Sequence, residues 1–402
     1  MVYVINKDGK PLMPCKEAKA RKLLRDGKAK AIRRTPFTIK LLWDCEDNIQ
    51  EVIAGMDTGS KTIGCAAISN GKVVYQAEVE NRNDITKKMT QRKMYRRIRR
   101  NKKVRYRKSR WQNKSSLKKE GRLSPTIRSK IESHLREKKF VESILPVTKW
   151  IVETAKFDIH KISNLNVIGK DYKNGQQKGY YNIKAYVLHR DGYKCNHCKK
   201  KNTKLIVHHI IFRSRGGTDS PDNLITLCKN CHEDLHKGKF TIKGSRSNTR
   251  HATHISIINS RLKKNFGKFI ETFGCGTKYK RERILKLPKT HINDAVSICC
   301  LNKKEIELNN IYYLKKHVPH GDYRQTNGKQ SEKRIPTKKL FGLRKFDLIK
   351  TPKGTGFVKG KRTRGFFIIF SLDGTVAGLS VNVKKECKRI SARKTVLIEF
   401  LQ

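Results

Sequence analysis

The chain is short of acid. Its 402 residues carry 34 Asp and Glu against 93 Lys and Arg, a formal net charge of +59. Self-repulsion on that scale opposes compaction unless something anionic neutralises it. Nucleic acid is therefore the leading partner, and a ribosomal-type RNA binder is the plain form of that reading. Long apolar runs are missing too: no stretch nears the ~20 residues of a membrane-spanning helix. Membrane surfaces attract only local basic clusters, so no membrane partner is expected. Val2-Tyr3-Val4-Ile5 is too short for the apolar region of a secretory signal. A disulfide framework is absent as well. Of 11 cysteines, Cys15, Cys45, Cys65, Cys275, Cys299, Cys300 and Cys387 are scattered without framework spacing. An odd total in a long chain predicts a reduced, cytoplasmic protein. There is no repeat of solenoid length and no long low-complexity tail. The length is enough for two or three domains with buried cores.

What is present reads as a mixed α/β chain. A strand is expected over 2–5, a turn at Asp8-Gly9, and a rigid extended link at Pro11-Leu12-Met13-Pro14. A helix over 17–25 follows, with Gly27 at its C-terminal end, then a strand over 37–43. Residues 52–77 predict a three-strand meander, with Asn70-Gly71 as a two-residue hairpin turn. Ser124-Pro125 opens a helix whose buried stripe is Ile127, Ile131, Leu135 and Val141; Pro146 ends it. A strand is expected over 147–154. Asn174-Gly175 and Gly179 mark a linker, and Gly244-Ser245 marks the way out of the module that follows. A helix is expected over 255–273 and a short one after Lys289. From about 311 short strands, such as 365–370 and 395–400, predict a small basic β-barrel or sandwich.

Residues 82–110 differ from the rest. They contain no Gly, no Pro and one acid, Asp84. Arg and Lys form helices well. Met94 and Ile98 give only a thin apolar seam, so this helix would be marginal alone in water. A solvated charged face is the bland reading. Like-sign density this high repels itself, and a helix laid along a phosphate backbone fits better, reading no sequence. Its candidate contacts are Arg92, Arg96, Arg97, Arg99, Arg100, Arg105, Arg107 and Arg110.

Metal chemistry is concentrated between 195 and 236. Cys195, Cys198, Cys228 and Cys231 form two Cys-x2-Cys pairs that can close a structural Zn2+ knot. The 29 residues from 199 to 227 exceed ordinary ribbon spacing, so a whole motif must sit inside the loop. That loop holds His208, His209 and Asn223. His232 and His236 follow at i and i+4, facing one ligand. Adjacent His208 and His209 on a strand must point to opposite faces, one toward metal and one toward substrate.

A second acidic set is scattered. Asp57 ends an apolar strand, Glu153 lies on Trp150-Ile151-Val152-Glu153, and His291 and Asp294 share one face of a helix start. Each reads on its own as a rim residue or a cap. Two-metal hydrolysis, with ions about 3.5–4 Å apart, needs carboxylates gathered from separate elements.

The 195–236 stretch resembles the HNH (ββα-metal) nuclease module. By that resemblance His209 is the general base, and His208 and His232 are metal ligands. His236 is a third ligand in an H-x3-H variant, Asn223 positions the catalytic His, and the ion is Mg2+. Asp57, Glu153, His291 and Asp294, in this order around the HNH stretch, resemble a ribonuclease-H-like RuvC domain split in three, binding Mg2+ through Asp57, Glu153 and Asp294. The arginine-rich helix follows the first segment as a bridge helix does. The arrangement is similar to the type II CRISPR nucleases and, at this length, to the transposon-encoded IscB family. Pro11-Leu12-Met13-Pro14 matches the motif of that family's N-terminal domain.

The fold class implied is α/β multidomain. Its parts are an N-terminal domain over 1–50, RuvC segments over 51–81, 121–175 and 246–310, and an arginine-rich bridge helix over 82–120. The zinc-containing ββα HNH module covers 176–245, and a small basic C-terminal β domain over 311–402 reads a target-adjacent motif. The activity implied is double-strand cleavage of target DNA guided by an omega RNA, HNH cutting the guide-paired strand and RuvC the displaced one. The protein would be monomeric in a ribonucleoprotein, cytoplasmic and at the nucleoid when bound to DNA. A guide-independent HNH/RuvC-type nuclease and a non-catalytic zinc-containing RNA-binding protein are the alternatives.

Overall fold

The computed structural model describes residues 1–46, 48–101, 121–155, 177–201, 203–212, 217–242, 250–300, 306–320, 338–384 and 387–401. The chain is a mixed α/β protein in two compact units. One comprises Met1–Lys156 and His254–Gln402, the other Phe157–Thr253.

The first unit opens with β1 (Val2–Ile5), β2 (Pro11–Cys15), α1 (Glu17–Arg25), β3 (Ala29–Arg33) and β4 (Thr38–Leu41), in sheet order β2-β1-β4-β3. Strand alternation divides β1 between two cores. Val2 and Val4 pack with Ile39 and Leu41, while Tyr3 faces the larger core and donates its hydroxyl to the Val74 carbonyl at 2.9 Å. The expected rigid link at Pro11-Leu12-Met13-Pro14 is instead strand β2, antiparallel to β1. An edge position explains it, because prolines without N–H groups are tolerated where one side of the strand pairs with nothing. Strand β3 was not foreseen: only Ala29 of its five residues is buried, so it lacks an apolar signature.

The meander follows as β5 (Val52–Asp57), β6 (Thr62–Ser69) and β7 (Lys72–Glu80). Asn70 and Gly71 both have positive φ, 47° and 75°, as the tight turn requires. Helix α2 (Ile85–Asn101) carries the first half of the basic segment. Helix α3 (Pro125–Glu142) starts at Ser124, whose hydroxyl accepts from the Ile127 N–H at 3.4 Å. Strand β8 (Lys149–Glu153) then pairs parallel with β5.

The second unit contains α4 (Ile183–Arg190), β9 (Leu205–His209), a 3-10 turn at Pro221–Asn223, β10 (Leu224–Cys228) and α5 (Lys229–His236). Strands β9 and β10 are antiparallel, with Ile225 opposite His208 and Leu224 opposite His209. Its small core is Cys195, Leu227, Cys228 and Cys231, flanked by Leu205, Leu235 and Phe240. Val187 and Leu224 are buried in this unit as well. Among the described residues such side chains, each worth about 1.5–3 kcal/mol when fully buried, make a small core that gains from a further tie.

Helix α6 (Arg250–Asn265), β11 (Ile270–Thr272), α7 (Gly274–Tyr279), a π-helical turn (Lys280–Ile284) and α8 (His291–Cys299) come next. The helix expected over 255–273 therefore ends early. Gly267, at φ +88°, takes a conformation that L side chains avoid, and the chain turns into β11. After β12 (Tyr312–His317), five antiparallel strands form their own sheet. They are β13 (Leu348–Thr351), β14 (Gly354–Lys361), β15 (Phe366–Phe370), β16 (Ala377–Asn382) and β17 (Lys388–Ser391). The last strand, β18 (Val396–Leu401), pairs with β12.

The central sheet has seven strands in the order β11-β8-β5-β6-β7-β12-β18. Thus β12 and β18, expected inside a β domain over 311–402, complete the central sheet instead. Their pattern hides this, because β12 turns Tyr313, Lys315 and His317 inward. Lys315 is tolerated because its ammonium meets Glu137 at 2.8 and 2.9 Å and the Tyr75 hydroxyl at 2.5 Å. A buried cation needs such pairing.

Helices α3 and α6 cover one face of the sheet, α8 the other. Gly55 and Gly64 let α8 settle. A Cβ at Gly64 would stand 1.9 Å from the His291 carbonyl oxygen, and one at Gly55 would stand 2.7 Å from Cys299 Sγ. This close approach fixes where the first turn of α8 lies above β5 and β6.

Candidate metal centres

In the second unit, Sγ atoms of Cys195, Cys198, Cys228 and Cys231 lie within 4.8 Å of one another. Burial raises the pKa of Cys195, but hydrogen bonds from the backbone of Cys228, Cys198 and His197 prevail and bring it down to about 6. A thiolate with amide donors around it is what a tetrahedral four-sulfur zinc site needs. His197 stacks on Phe240 at 3.8 Å between ring centroids, and its Nδ1 lies 3.5 Å from Cys231 Sγ. The donor set fits structural zinc.

Three imidazoles form the neighbouring cluster. Ligand nitrogens of His208, His232 and His236 also lie within 4.8 Å of one another, and the Nε2 atoms of His232 and His236 are 3.3 Å apart. Strand alternation separates the two adjacent histidines as expected. His208 is buried in the cluster, while His209 Nε2 meets Asp219 Oδ1 at 2.8 Å. Burial, and then the positive charge His232, His236 and His209 would carry, lower the His208 pKa to about 4. It is held neutral, the form that ligates metal. The carboxylate of Asp219 accepts from Nε2–H, which leaves a lone pair on Nδ1 of His209.

Asn223 is 7% exposed, and its side-chain hydrogen bonds go to the backbone rather than to the His209 ring. Its Nδ2 donates to the carbonyls of Ile211 and Thr218 at 3.0 and 2.8 Å, and its Oδ1 accepts from Ile211 N–H at 2.9 Å. It therefore ties down the chain leaving β9. Gly217 is part of the same clasp, since a Cβ there would stand 1.7 Å from the Ile211 carbonyl oxygen. Sequence reading missed Asp219. A single acid in a polar turn carries no periodic signal.

The first unit gathers the acidic set. Asp57 and Glu153 are register partners at the ends of the parallel strands β5 and β8. His291 and Asp294 lie on the first turn of α8, whose N-cap Thr290 accepts from Asn293 N–H. His291 Nδ1 is 2.7 Å from Asp57 Oδ2, and Arg281 is bonded to Asp294. Burial raises the Glu153 pKa, the charges of Asp57 and Asp294 raise it further, and a hydrogen bond from Thr277 opposes them. The Asp57 bond raises the pKa of His291 against the effect of its burial. Glu153 feels the charge of both other acids, but the three carboxylates do not form a group whose ligand atoms all lie within 4.8 Å of one another; Asp57 is bonded to His291 and Asp294 to Arg281. As oxygen donors they are of the kind a hard cation takes.

Thr277 and Arg281, four residues apart, were not foreseen. Thr277 Oγ1 donates to Glu153 Oε2 at 2.5 Å, and Arg281, 5% exposed, holds Asp294 and Glu282. Gly274 opens the same element, and a Cβ there would come 3.1 Å from Glu153 Oε1. One face of this segment thus serves two of the three acids.

Of the expected phosphate contacts, Arg92, Arg96, Arg97, Arg99 and Arg100 lie on α2, and the first four are exposed. Met89, Tyr95 and Ile98 line a groove between α2 and α3, with Arg92, Arg99 and Arg128 at its sides. Arg105, Arg107 and Arg110 lie outside the described residues. No helix among the described residues is long and apolar enough to cross a membrane.

Residues 2–175 match the RRXRR protein family, and residues 195–238 match the HNH endonuclease family. Arg96-Arg97-Ile98-Arg99-Arg100 on α2 spells the first family's pattern. The chain is similar to the type IV methyl-directed restriction enzyme EcoKMcrA of Escherichia coli, 40% identical over 65 residues. That covers 14% of this chain and 24% of the enzyme, so the chain spans about a quarter of that relative. It is also similar to anaredoxin of a Nostoc species, 38% identical over 69 residues, 17% of this chain and 91% of that protein.

Proposed function

We propose that the chain, whose residues 195–238 match the HNH endonuclease family, is an RNA-guided DNA endonuclease of the IscB type, with a second cutting centre of the RuvC type. The observation that carries this reading is the register pairing of Asp57 with Glu153, with Asp294 near enough for its charge to act on Glu153 and the HNH module lying between Glu153 and Asp294 in sequence. A meander extended by two parallel strands, β8 and β11, supports a ribonuclease-H-like sheet. The RRXRR match supports it as well, since that family occurs in IscB-like and type II CRISPR-like nucleases.

In the HNH centre, His209 acts as general base through Nδ1 on the water that attacks the guide-paired strand, while Asp219 holds Nε2. A positioned base contributes typically about 10²–10⁴-fold. Asn223 fixes the backbone that carries His209. The ion held by His208, His232 and His236 supplies charge stabilisation at the phosphate when bound.

In the RuvC centre, Asp57, Glu153 and Asp294 offer oxygen donors suited to Mg2+, whose chemistry when bound is that of two-metal phosphodiester hydrolysis. His291, Thr277 and Arg281 hold one carboxylate each. The arginines of α2 take the phosphates of an omega RNA and its heteroduplex with target DNA, without reading sequence. The five-stranded β13–β17 sheet is the part left to read a target-adjacent motif. The working form is a monomeric protein in a cytoplasmic ribonucleoprotein, at the nucleoid when bound to DNA.

Strand-resolved gels on the ribonucleoprotein test this. Asp57→Ala is expected to nick only the guide-paired strand and His209→Ala only the displaced one. Either variant still making double-strand breaks would refute the assignment. RNA copurified from the native locus should carry a constant scaffold and a variable guide. The similarity to EcoKMcrA favours a second reading, a guide-independent nuclease. Metal-dependent cutting of bare duplex by RNA-free protein would decide for it. A non-catalytic RNA-binding protein would lose nothing in either variant.

A further inference from the structure

The two centres differ in the atoms they offer. Among the described residues, the cluster at His208, His232 and His236 contains three imidazole nitrogens and no carboxylate. Glu233, exposed and next to His232 in sequence, acts on that imidazole through its charge but is not one of the clustered ligands, and two other acids are committed elsewhere. Asp219 meets His209 at 2.8 Å, and Asp234 meets Lys239 at 2.8 Å. In sequence, Arg213-Ser214-Arg215-Gly216, which lie outside the described residues, contain no acid. Phe212 packs on the cluster, stacked on His236 at 5.7 Å and edge-on to His208 at 5.4 Å.

Mg2+ fits such a site badly. It is hard, dehydrates reluctantly, and is ordinarily held by one or two carboxylates plus several waters. Imidazole suits borderline divalent ions, and their affinity for nitrogen sites rises along the first transition row toward copper. We infer that the His208–His232–His236 centre takes a first-row transition ion of the Mn2+-to-Zn2+ range in preference to Mg2+, so that the two cutting centres of this chain answer to different metals. The inference rests on the nuclease reading for its consequence, strand-selective dependence on metal, but its binding claim concerns the three imidazoles alone. It displaces the Mg2+ expected there from family resemblance.

The test uses the full chain with its copurified RNA, and Co2+ as the probe. Imidazole-bound Co2+ gives visible d–d bands without the sulfur charge-transfer of the four-cysteine knot, so the two sites are read separately. Co2+ bands are expected to appear at the imidazole site and to persist in a roughly hundredfold excess of Mg2+. His236→Ala should weaken Co2+ binding at least about tenfold while the zinc content of the four-cysteine knot is unchanged. Unchanged zinc also certifies that the module is folded. His236→Asp should move selectivity toward Mg2+.

In Asp57→Ala, which isolates the HNH cut, Mn2+ or Co2+ should restore nicking that Mg2+ alone does not support. Displacement of Co2+ by Mg2+ at comparable concentration would overturn the inference, as would full nicking of Asp57→Ala in chelator-treated Mg2+ buffer. Selective Co2+ binding with no cleavage under any metal would leave the binding claim standing and sink the nuclease reading instead.

Discussion

The HNH centre is built from one short piece of chain, the acidic centre proposed to be of the RuvC type from three distant ones. Every metal-binding candidate of the first lies between Cys195 and His236, on two strands, one helix and their turns. The second needs Asp57 from β5 and Glu153 from β8, register partners in the seven-stranded sheet, and Asp294 from α8, which packs on that sheet. The first uses nitrogen and sulfur, the second oxygen. A local centre in a unit with little core depends on its zinc for shape. A centre gathered from afar depends on the sheet, and on residues that keep three repelling carboxylates in place.

Removing a zinc ligand should separate the two most. Structural zinc contributes about 10–16 kcal/mol in small zinc domains, far more than the thin core at Leu227 can replace. Cys228→Ser is therefore expected to lose its zinc, unfold the 157–253 unit and abolish the HNH cut. The sheet and the RuvC-type cut should survive. Zinc analysis, limited proteolysis and strand-resolved gels read the three outcomes. Unchanged zinc with normal cleavage of both strands would mean that the knot does not hold the module.

A smaller effect, confined to the other centre, is expected from Gly64→Ala. The new Cβ would meet the His291 carbonyl oxygen at 1.9 Å, so the first turn of α8 must move, carrying His291 and Asp294 with it. Overpacking of this kind costs about 1–3 kcal/mol of stability. A displacement near 1 Å of a positioned group costs about a hundredfold in rate. The displaced-strand cut should fall on that scale while the HNH cut and the zinc content stay as they are. Equal loss at both centres would point to general unfolding instead.

The same contrast explains what could be read from the chain. The Cys-x2-Cys pairs, the His208-His209 doublet and the i,i+4 pair His232 and His236 are local spacings, and a local spacing survives in sequence. Asp57, Glu153 and Asp294 are single acids whose meaning lies in a register set across the sheet, so only their resemblance to a known order pointed to them. Thr277, Arg281 and Asp219 act by touching those groups, and nothing in their neighbourhood announces it. The prolines of β2 concealed an edge strand. The inward Lys315 and His317 of β12 concealed a core strand, because the partner that makes Lys315 tolerable, Glu137, lies far away on α3.

The smallest expected effect tests how finely the gathered centre is held. Thr277 touches Glu153 and is 3% exposed, so Thr277→Val keeps the volume and removes only the hydroxyl. Glu153 then loses the one hydrogen bond that opposes its burial and the charges of Asp57 and Asp294. Support of this kind around a metal ligand is worth about 10–100-fold in metal affinity. Mn2+ titration of the ribonucleoprotein, followed by paramagnetic resonance, should show weaker binding at the carboxylates by roughly that lower bound. Thr277→Ser should restore it, because the donor returns, whereas a role in packing alone would leave Val equal to Thr and Ser the weaker. The His208–His232–His236 centre provides the internal control, since the hydrogen bonds of the Thr277 hydroxyl go to Glu153 and Phe273, and its occupancy should not change.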